Sequence, residues 1–255
     1  MARQFGQSSS LSLARRNVCD FLHASLKVPS VTFGRTMSLS AVVAARHAAK
    51  PRPSWCGIFT KAFAITASRR IELRRAYLGF PWQRLYDHPV NIASVIVEKE
   101  LNGELVLVPA LIANPETIPL TALDEIISRV KQDPLKEEKA FRRSMILARY
   151  PRAIRRLVWW YGLNVSGYKR SRWFGTFGVS SVARFGVDSL RPLSPWPSLL
   201  HYGVIDPRGT MTARLTFDHR IFDGTVASMA LMEFEKALHD EILAELISLR
   251  SRAAA

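Results

Sequence analysis

A histidine and an aspartate stand four positions apart near the end of the chain, in the segment FDHRIFDG at 217–224. Imidazole takes up and releases a proton near neutral pH, so His219 could act as a general base. The carboxylate of Asp223 could hold the ring in one tautomer. Two alternatives remain open at this point, because such a pattern also occurs in ordinary turns: a structural histidine, and an aspartate that only forms a turn before Gly224.

The residues on either side of this segment indicate how it is supported. Residues 211–217 alternate between apolar and polar side chains, which favours a strand, and a helical pattern begins near Thr225. His219 therefore lies where a strand ends. Side chains in such places are presented to ligands from a rigid scaffold.

Four segments resemble, in the same order, the acyltransferase catalytic domain of 2-oxo acid dehydrogenase complexes. DHRIFDG at 218–224 is similar to that family's DHRxxDG. GTFGVSSVARFG at 175–186 is similar to GTFTISNLGxFG, and NGELVLVPALI at 102–112 is similar to DGLIVPVI. A weaker match is Arg15-Arg16 ahead of Val18 and Leu22, where the family has RRxIAxxL. The four matches span roughly residues 13 to 245.

The resemblance implies a fold, an assembly and a reaction. The expected fold is α/β, a chloramphenicol acetyltransferase-like two-layer sandwich with a mixed sheet flanked by helices. The expected assembly is a homotrimer with each active site between two subunits. The expected reaction moves an acyl group from a coenzyme A thioester, as co-substrate, to a small-molecule thiol, amine or hydroxyl acceptor. A dihydrolipoyl group could be that acceptor if a partner supplies it.

The resemblance also implies roles for individual residues. His219 would be the general base, and Ser180 would donate its hydroxyl to the oxyanion of the tetrahedral intermediate. Asp223 would support the site, with Arg15 or Arg16 as its partner, as in chloramphenicol acetyltransferase. Ser181 would point to the opposite face of its strand. No residues are assigned to cofactor binding, and the histidines have no metal-ligand spacing.

Other classes of protein fit less well. Condensation domains carry a second histidine where this chain has Asp218, plant-type acyltransferases add a DFGWG motif that is absent, and no GxSxG surrounds Ser180 as a serine hydrolase would require. The alternative to an enzyme is a non-catalytic trimeric scaffold or a membrane-surface interaction protein that keeps the fold.

Composition limits the class of partner. The 255 residues carry a net charge of +15, which favours anionic partners such as nucleic acid, an anionic membrane or a phosphorylated cofactor. We expect no nucleic-acid binding, because no recognised nucleic-acid motif accompanies the charge. Two cysteines, Cys19 and Cys56, favour buried reduced thiols in a cytoplasmic protein. No apolar stretch is long enough to span a membrane, so peripheral membrane contact is the alternative location.

The resemblance implies an acyltransferase catalytic domain over 11–250, with a basic aromatic insertion at 136–174 and a disordered tail over 1–10 before it. Although the first 19 residues are basic and rich in serine like a transit peptide, the Arg15-Arg16 match places a helix there. No lipoyl domain is recognisable, so the chain resembles a stand-alone catalytic core. Its polar and basic end, 248–255, predicts a trimer that does not assemble further. The predicted helices cover 13–26, 40–49, 54–69, 121–131 and 225–249, and the predicted strands cover 30–39, 91–99 and 105–112. The last two strands flank Asn102-Gly103, a pair typical of a hairpin turn.

Residues 136–174, called the basic segment below, depart most from the family. Arginines alternate there with large apolar and aromatic side chains, including Trp159 and Trp160. One interpretation is a helical hairpin packed on the domain with solvated arginines. The other is an amphipathic element that lies on an anionic membrane or covers the substrate entrance. Pro151 excludes a single straight helix.

Overall fold

The structure, a computed structural model, describes residues 6–101, 103–134 and 139–252. The helices of these residues are α1 (Leu13–Ser25), α2 (Ser40–Ala48), α3 (Trp55–Arg69), α4 (Leu120–Gln132), α5 (Lys139–Ala148), α6 (Arg152–Asn164), α7 (Gly167–Phe174), α8 (Gly224–Ala237) and α9 (Leu243–Arg252). The strands are β1 (Ser30–Ser38), β2 (Arg75–Leu78), β3 (Arg84–Asp87), β4 (Ile92–Leu101), β5 (Glu104–Ala113), β6 (Phe177–Ser180), β7 (Ser198–Tyr202) and β8 (Thr210–Asp218).

Six strands form one mixed sheet in the order β1-β8-β7-β6-β4-β5, and β2 and β3 form a separate hairpin. Strand β6 is parallel to β4 and β7, whereas β8 is antiparallel to both β7 and β1. Strands β6 and β8 therefore run in opposite directions. Their carboxyl ends lie at opposite edges of the sheet.

Local chemistry explains where several elements begin. The Ser12 hydroxyl accepts a hydrogen bond from the backbone N–H of Arg15 at 3.0 Å, and Ser54 caps α3 in the same way through Gly57. Between β4 and β5 the backbone turns at Gly103, whose φ of 79° lies in the left-handed region that favours glycine. Pro151 stands directly before α6 and separates it from α5.

The main hydrophobic core lies between the sheet and helices α2, α3, α4, α8 and α9. Phe63 of the almost completely buried α3 contacts the rings of Phe177 on β6 and Phe234 on α8, with centroid distances of 5.1 and 6.1 Å. Helices α1, α5, α6 and α7 pack together outside this core, with α5 against β5 and α7 against β4. The predicted fold class, a mixed sheet flanked by helices, is confirmed.

Most predicted elements form, but the C-terminal helix differs from the prediction. It is interrupted by a π-helical turn at Leu238–Ile242 between α8 and α9. The basic segment forms three helices rather than a hairpin, because the chain turns again at Ser166, which caps α7. Strand β7 and the β2–β3 hairpin were not predicted.

Two further expectations can be compared with the structure. Cys56 is half-buried, and burial raises the pKa of its thiol, but Cys19 is exposed, so the prediction of two buried thiols was wrong for Cys19. It lies on the outward side of α1. Residues 1–5 of the predicted tail, Asn102 of the predicted hairpin, 136–138 of the basic segment and 253–255 of the C-terminus lie outside the described residues.

Candidate active site

His219 lies in the turn that follows β8. Its backbone N–H donates to the Pro29 carbonyl at 3.0 Å, which ties the turn to the residue before β1. The imidazole centroid is 5.7 Å from the ring of Phe217, a core residue, so the side chain lies over the edge of the core. It is 45% exposed, so a second molecule can reach it.

Asp223 faces this imidazole from the start of α8. Its Oδ1 lies 3.2 Å from Nδ1 of His219. Its backbone carbonyl accepts a hydrogen bond from the backbone N–H of Ala227, which closes the first turn of α8. A Cβ at Gly224 would approach the Phe33 ring to 2.6 Å, so only glycine fits there without displacing that ring. The imidazole and the carboxylate therefore lie side by side at the start of α8, where the Asp223 side chain is 81% exposed.

The two residues that flank His219 hold the turn in place. Asp218 is 1% exposed and accepts from Nε and Nη2 of Arg220 at 2.9 and 2.7 Å. The Arg220 guanidinium lies 4.2 Å from the centre of the Tyr77 ring. Arg170 donates to the Tyr77 carbonyl, and burial lowers the pKa of Arg170 to about 10. Sequence analysis gave Asp218 and Arg220 no role, because a bidentate pair two residues apart has no distinctive spacing.

Ser180 ends β6 and lines a cavity of about 620 Å³ on the other side of the molecule. The cavity is lined by apolar side chains of α3, β4 and β6 together with Ser54, Cys56, Glu98, Lys131 and Tyr202. Ser181 also lines this cavity. Its hydroxyl donates to the Tyr202 carbonyl at 2.8 Å and accepts from Ala183, so it is occupied in stabilising the turn.

Within one chain, His219 and Ser180 lie at opposite edges of the sheet, because β8 and β6 run in opposite directions. Along β7, Ser198 is opposite Phe217 of β8, while His201 is opposite Ser180 of β6. At about 3.3 Å per residue and 4.8 Å per strand, the two candidate residues lie roughly 15–20 Å apart. A catalytic hydrogen bond requires about 3 Å. One chain therefore does not bring His219 and Ser180 into a common site.

Among the residues that the structure describes, neither Arg15 nor Arg16 forms an ion pair with Asp223. The resemblance predicted Arg15 or Arg16, but Nη2 of Arg15 lies 3.4 Å from the carboxylate of Glu104 on β5. Helix α1 packs against α5 and α6, which directs Arg15 towards the β4–β5 hairpin instead of α8. Within one chain the prediction of an Arg15–Asp223 pair was wrong.

Buried histidines lie outside this region. Burial lowers the pKa of His201, whose Nε2 is 3.2 Å from Asp188, and burial lowers the pKa of His88 to about 4. Across 6–101, 103–134 and 139–252, no group of three or more histidine, cysteine, aspartate or glutamate side chains could hold a metal ion.

The described part of the basic segment packs on α1. Arg155 is buried and donates to Asp20 at 2.6 Å, and Trp159 contacts the ring of Phe21 at 6.2 Å and that of Phe174 at 4.9 Å. Trp160 remains 39% exposed. No helix among the described residues is long and apolar enough to cross a membrane.

Comparisons with known proteins identify the fold. No family model and no curated protein matches the chain. Among solved structures, a probable dihydrolipoamide acetyltransferase from Listeria monocytogenes matches with a TM-score of 0.68 and 17% identity, covering 92% of this chain and 94% of that one. The cubic core of a pyruvate dehydrogenase multienzyme complex matches with a TM-score of 0.69 and 17% identity, covering 95% of both chains.

A third match is dihydrolipoamide acetyltransferase from Azotobacter vinelandii, with a TM-score of 0.69 and 17% identity over 95% of this chain and 94% of that one. The chain therefore has the fold of the acyltransferase cores of 2-oxo acid dehydrogenase complexes. This confirms, for the fold, the resemblance seen in the sequence.

Proposed function

We propose that the protein is an acyltransferase that moves an acyl group from a coenzyme A thioester to a thiol, amine or hydroxyl acceptor. The observation that carries this proposal is the His219–Asp223 arrangement at the end of β8. An exposed imidazole whose Nδ1 faces a carboxylate can accept a proton at Nε2. The attacking group of the acceptor would lose its proton to this atom.

The structural neighbours support the same assignment. The Azotobacter vinelandii enzyme was studied for the role of a serine, a histidine and an asparagine in catalysis, and that asparagine follows the histidine by four residues. Asp223 follows His219 by the same interval, with a carboxylate in place of the amide. In our proposal Ser180 supplies the hydroxyl that donates to the oxyanion.

The opposite positions of His219 and Ser180 require a second chain in this mechanism. The His219 edge of one subunit would meet the Ser180 cavity of the next, and a closed ring of such contacts is a cyclic oligomer. We propose a homotrimer, with three equivalent sites between subunits. The thioester and the acceptor would meet between those two edges.

Purified protein tests the reaction directly. Acetyl-, isobutyryl- and octanoyl-coenzyme A are each offered with dihydrolipoamide, a primary amine and an alcohol, and release of free coenzyme A is measured. We expect turnover with at least one pair, lost in His219→Ala and retained in His47→Ala, an exposed histidine of α2. Absence of turnover with every pair would favour the non-catalytic scaffold, whereas unchanged turnover in His219→Ala would refute the role of His219 as the base.

A further inference from the structure

A second cavity, called the segment cavity below, lies between the basic segment and β5 and has a volume of about 520 Å³. Its walls come from α1, α5, α6, α7 and β5, and neither His219 nor Ser180 contributes to it. The lining residues are Asn17, Pro109, Leu111, Ala140, Arg143, Ser144, Leu147, Val158, Trp159, Arg172, Trp173 and Phe174. A volume of this size is typical of small-molecule sites.

The interior of the segment cavity is apolar and preformed. Trp159 and Trp173 both contact the ring of Phe174, with centroids 4.9 and 6.4 Å away, so three aromatic side chains brace one another. A Cβ at Gly162 would come within 2.5 Å of the Trp173 ring, so glycine at this position allows that ring to pack closely on α6. All three aromatic side chains are only half-buried, and covering them would be favourable.

The rim of the segment cavity is cationic. Residues 139–174 contain ten lysines and arginines and no aspartate or glutamate. Arg143 and Arg172 are exposed, and Arg172 donates to the hydroxyl of Tyr168 at 2.6 Å. Neither arginine forms an ion pair with any residue that the structure describes. Two positive charges beside an apolar interior match a ligand with an anionic head and an apolar tail.

We propose that the segment cavity binds an alkyl-chain carboxylate of the fatty-acid class. The chain would lie among Leu147, Val158 and the aromatic residues, and the carboxylate would meet Arg143 and Arg172 at the rim. The site is separate from the acyl-transfer site proposed above. In this proposal the basic segment binds a ligand that differs from the substrates of the acyl-transfer site.

Calorimetric titration of the purified protein with sodium dodecanoate, below its micelle concentration, tests this. We expect one saturable site per chain. Leu147→Trp fills the cavity and should weaken binding by at least about tenfold, whereas Leu157→Trp, on the exposed face of α6, should not. Arg143→Gln should weaken binding by about fivefold, whereas Arg142→Gln, which does not line the cavity, should leave it unchanged.

Two measurements that do not need Leu147→Trp cover the case in which that variant does not fold. A fatty acid brominated along its chain should quench tryptophan fluorescence, and the quenching should fall when Trp159 and Trp173 are replaced by phenylalanine but not when the exposed Trp82 is. Dodecyltrimethylammonium, with the same chain and the opposite charge, should bind at least about tenfold more weakly. Absence of saturable dodecanoate binding, or equal affinity for the two amphiphiles, would overturn the proposal.

Discussion

Mixing two inactive variants tests whether His219 and Ser180 act across a subunit interface. His219→Ala should abolish acyl transfer, and Ser180→Ala should lower the rate by about 10²–10³. If each site takes His219 from one subunit and Ser180 from the next, a mixed trimer contains some sites in which both residues are intact. With random assortment of equal amounts, about one quarter of all sites recover, which corresponds to one of the three sites in each mixed trimer.

The recovered activity would exceed that of either parent by at least about tenfold, because the parents retain about 1% or less. The variants are refolded together with different affinity tags, mixed oligomers are isolated through both tags, and coenzyme A release is measured. The control mixes each variant with the His219→Ala/Ser180→Ala double variant, which should restore nothing. Light scattering should give three chains per particle. A mixture no more active than the mean of its parents, once mixed oligomers are isolated, would refute the shared site.

Three further predictions concern stability. Asp20→Asn leaves Arg155 buried without a carboxylate partner and should lower the free energy of unfolding in urea by about 3–5 kcal/mol. Glu104→Gln, in the more exposed pair with Arg15, should lower it by less than about 1 kcal/mol. Equal losses in the two variants would contradict the burial argument. The pKa of His88 is about 4 in the folded protein and 6.5 as a free side chain, so the unfolded chain binds a proton at higher pH than the folded one. As the pH falls from 6.5 to 4, the free energy of unfolding should therefore fall by up to about 3 kcal/mol. In His88→Leu this part of the pH dependence should disappear, and an unchanged slope would show that other groups cause it. Gly224→Ala should lower the free energy of unfolding by about 1–3 kcal/mol, because the added Cβ displaces the Phe33 ring. Ser228→Ala, at an exposed position one turn further along α8, should change it by about 0.5 kcal/mol or less. An unchanged stability in Gly224→Ala would mean that the Phe33 ring moves freely.

The sequence alone predicted the features that depend on near neighbours. The glycine turn between β4 and β5 and the apolar periodicity of α3 are set within a few residues, and they formed where the pattern placed them. The approach of Asp223 to His219 is of the same kind, because one short turn joins them. For that reason the short motif predicted one half of the candidate site.

Tertiary structure decided what depends on distant parts of the chain. Whether Ser180 and His219 share an edge of the sheet depends on the directions of β6 and β8, which are set by pairing with β7 and cannot be read from either motif. Arg155 looked like one solvated arginine among many, yet it is buried against Asp20, 135 positions earlier. The segment cavity exists only because four helices, α1, α5, α6 and α7, converge on β5. These contacts depend on long-range packing, because each one forms only after the chain has closed a large loop.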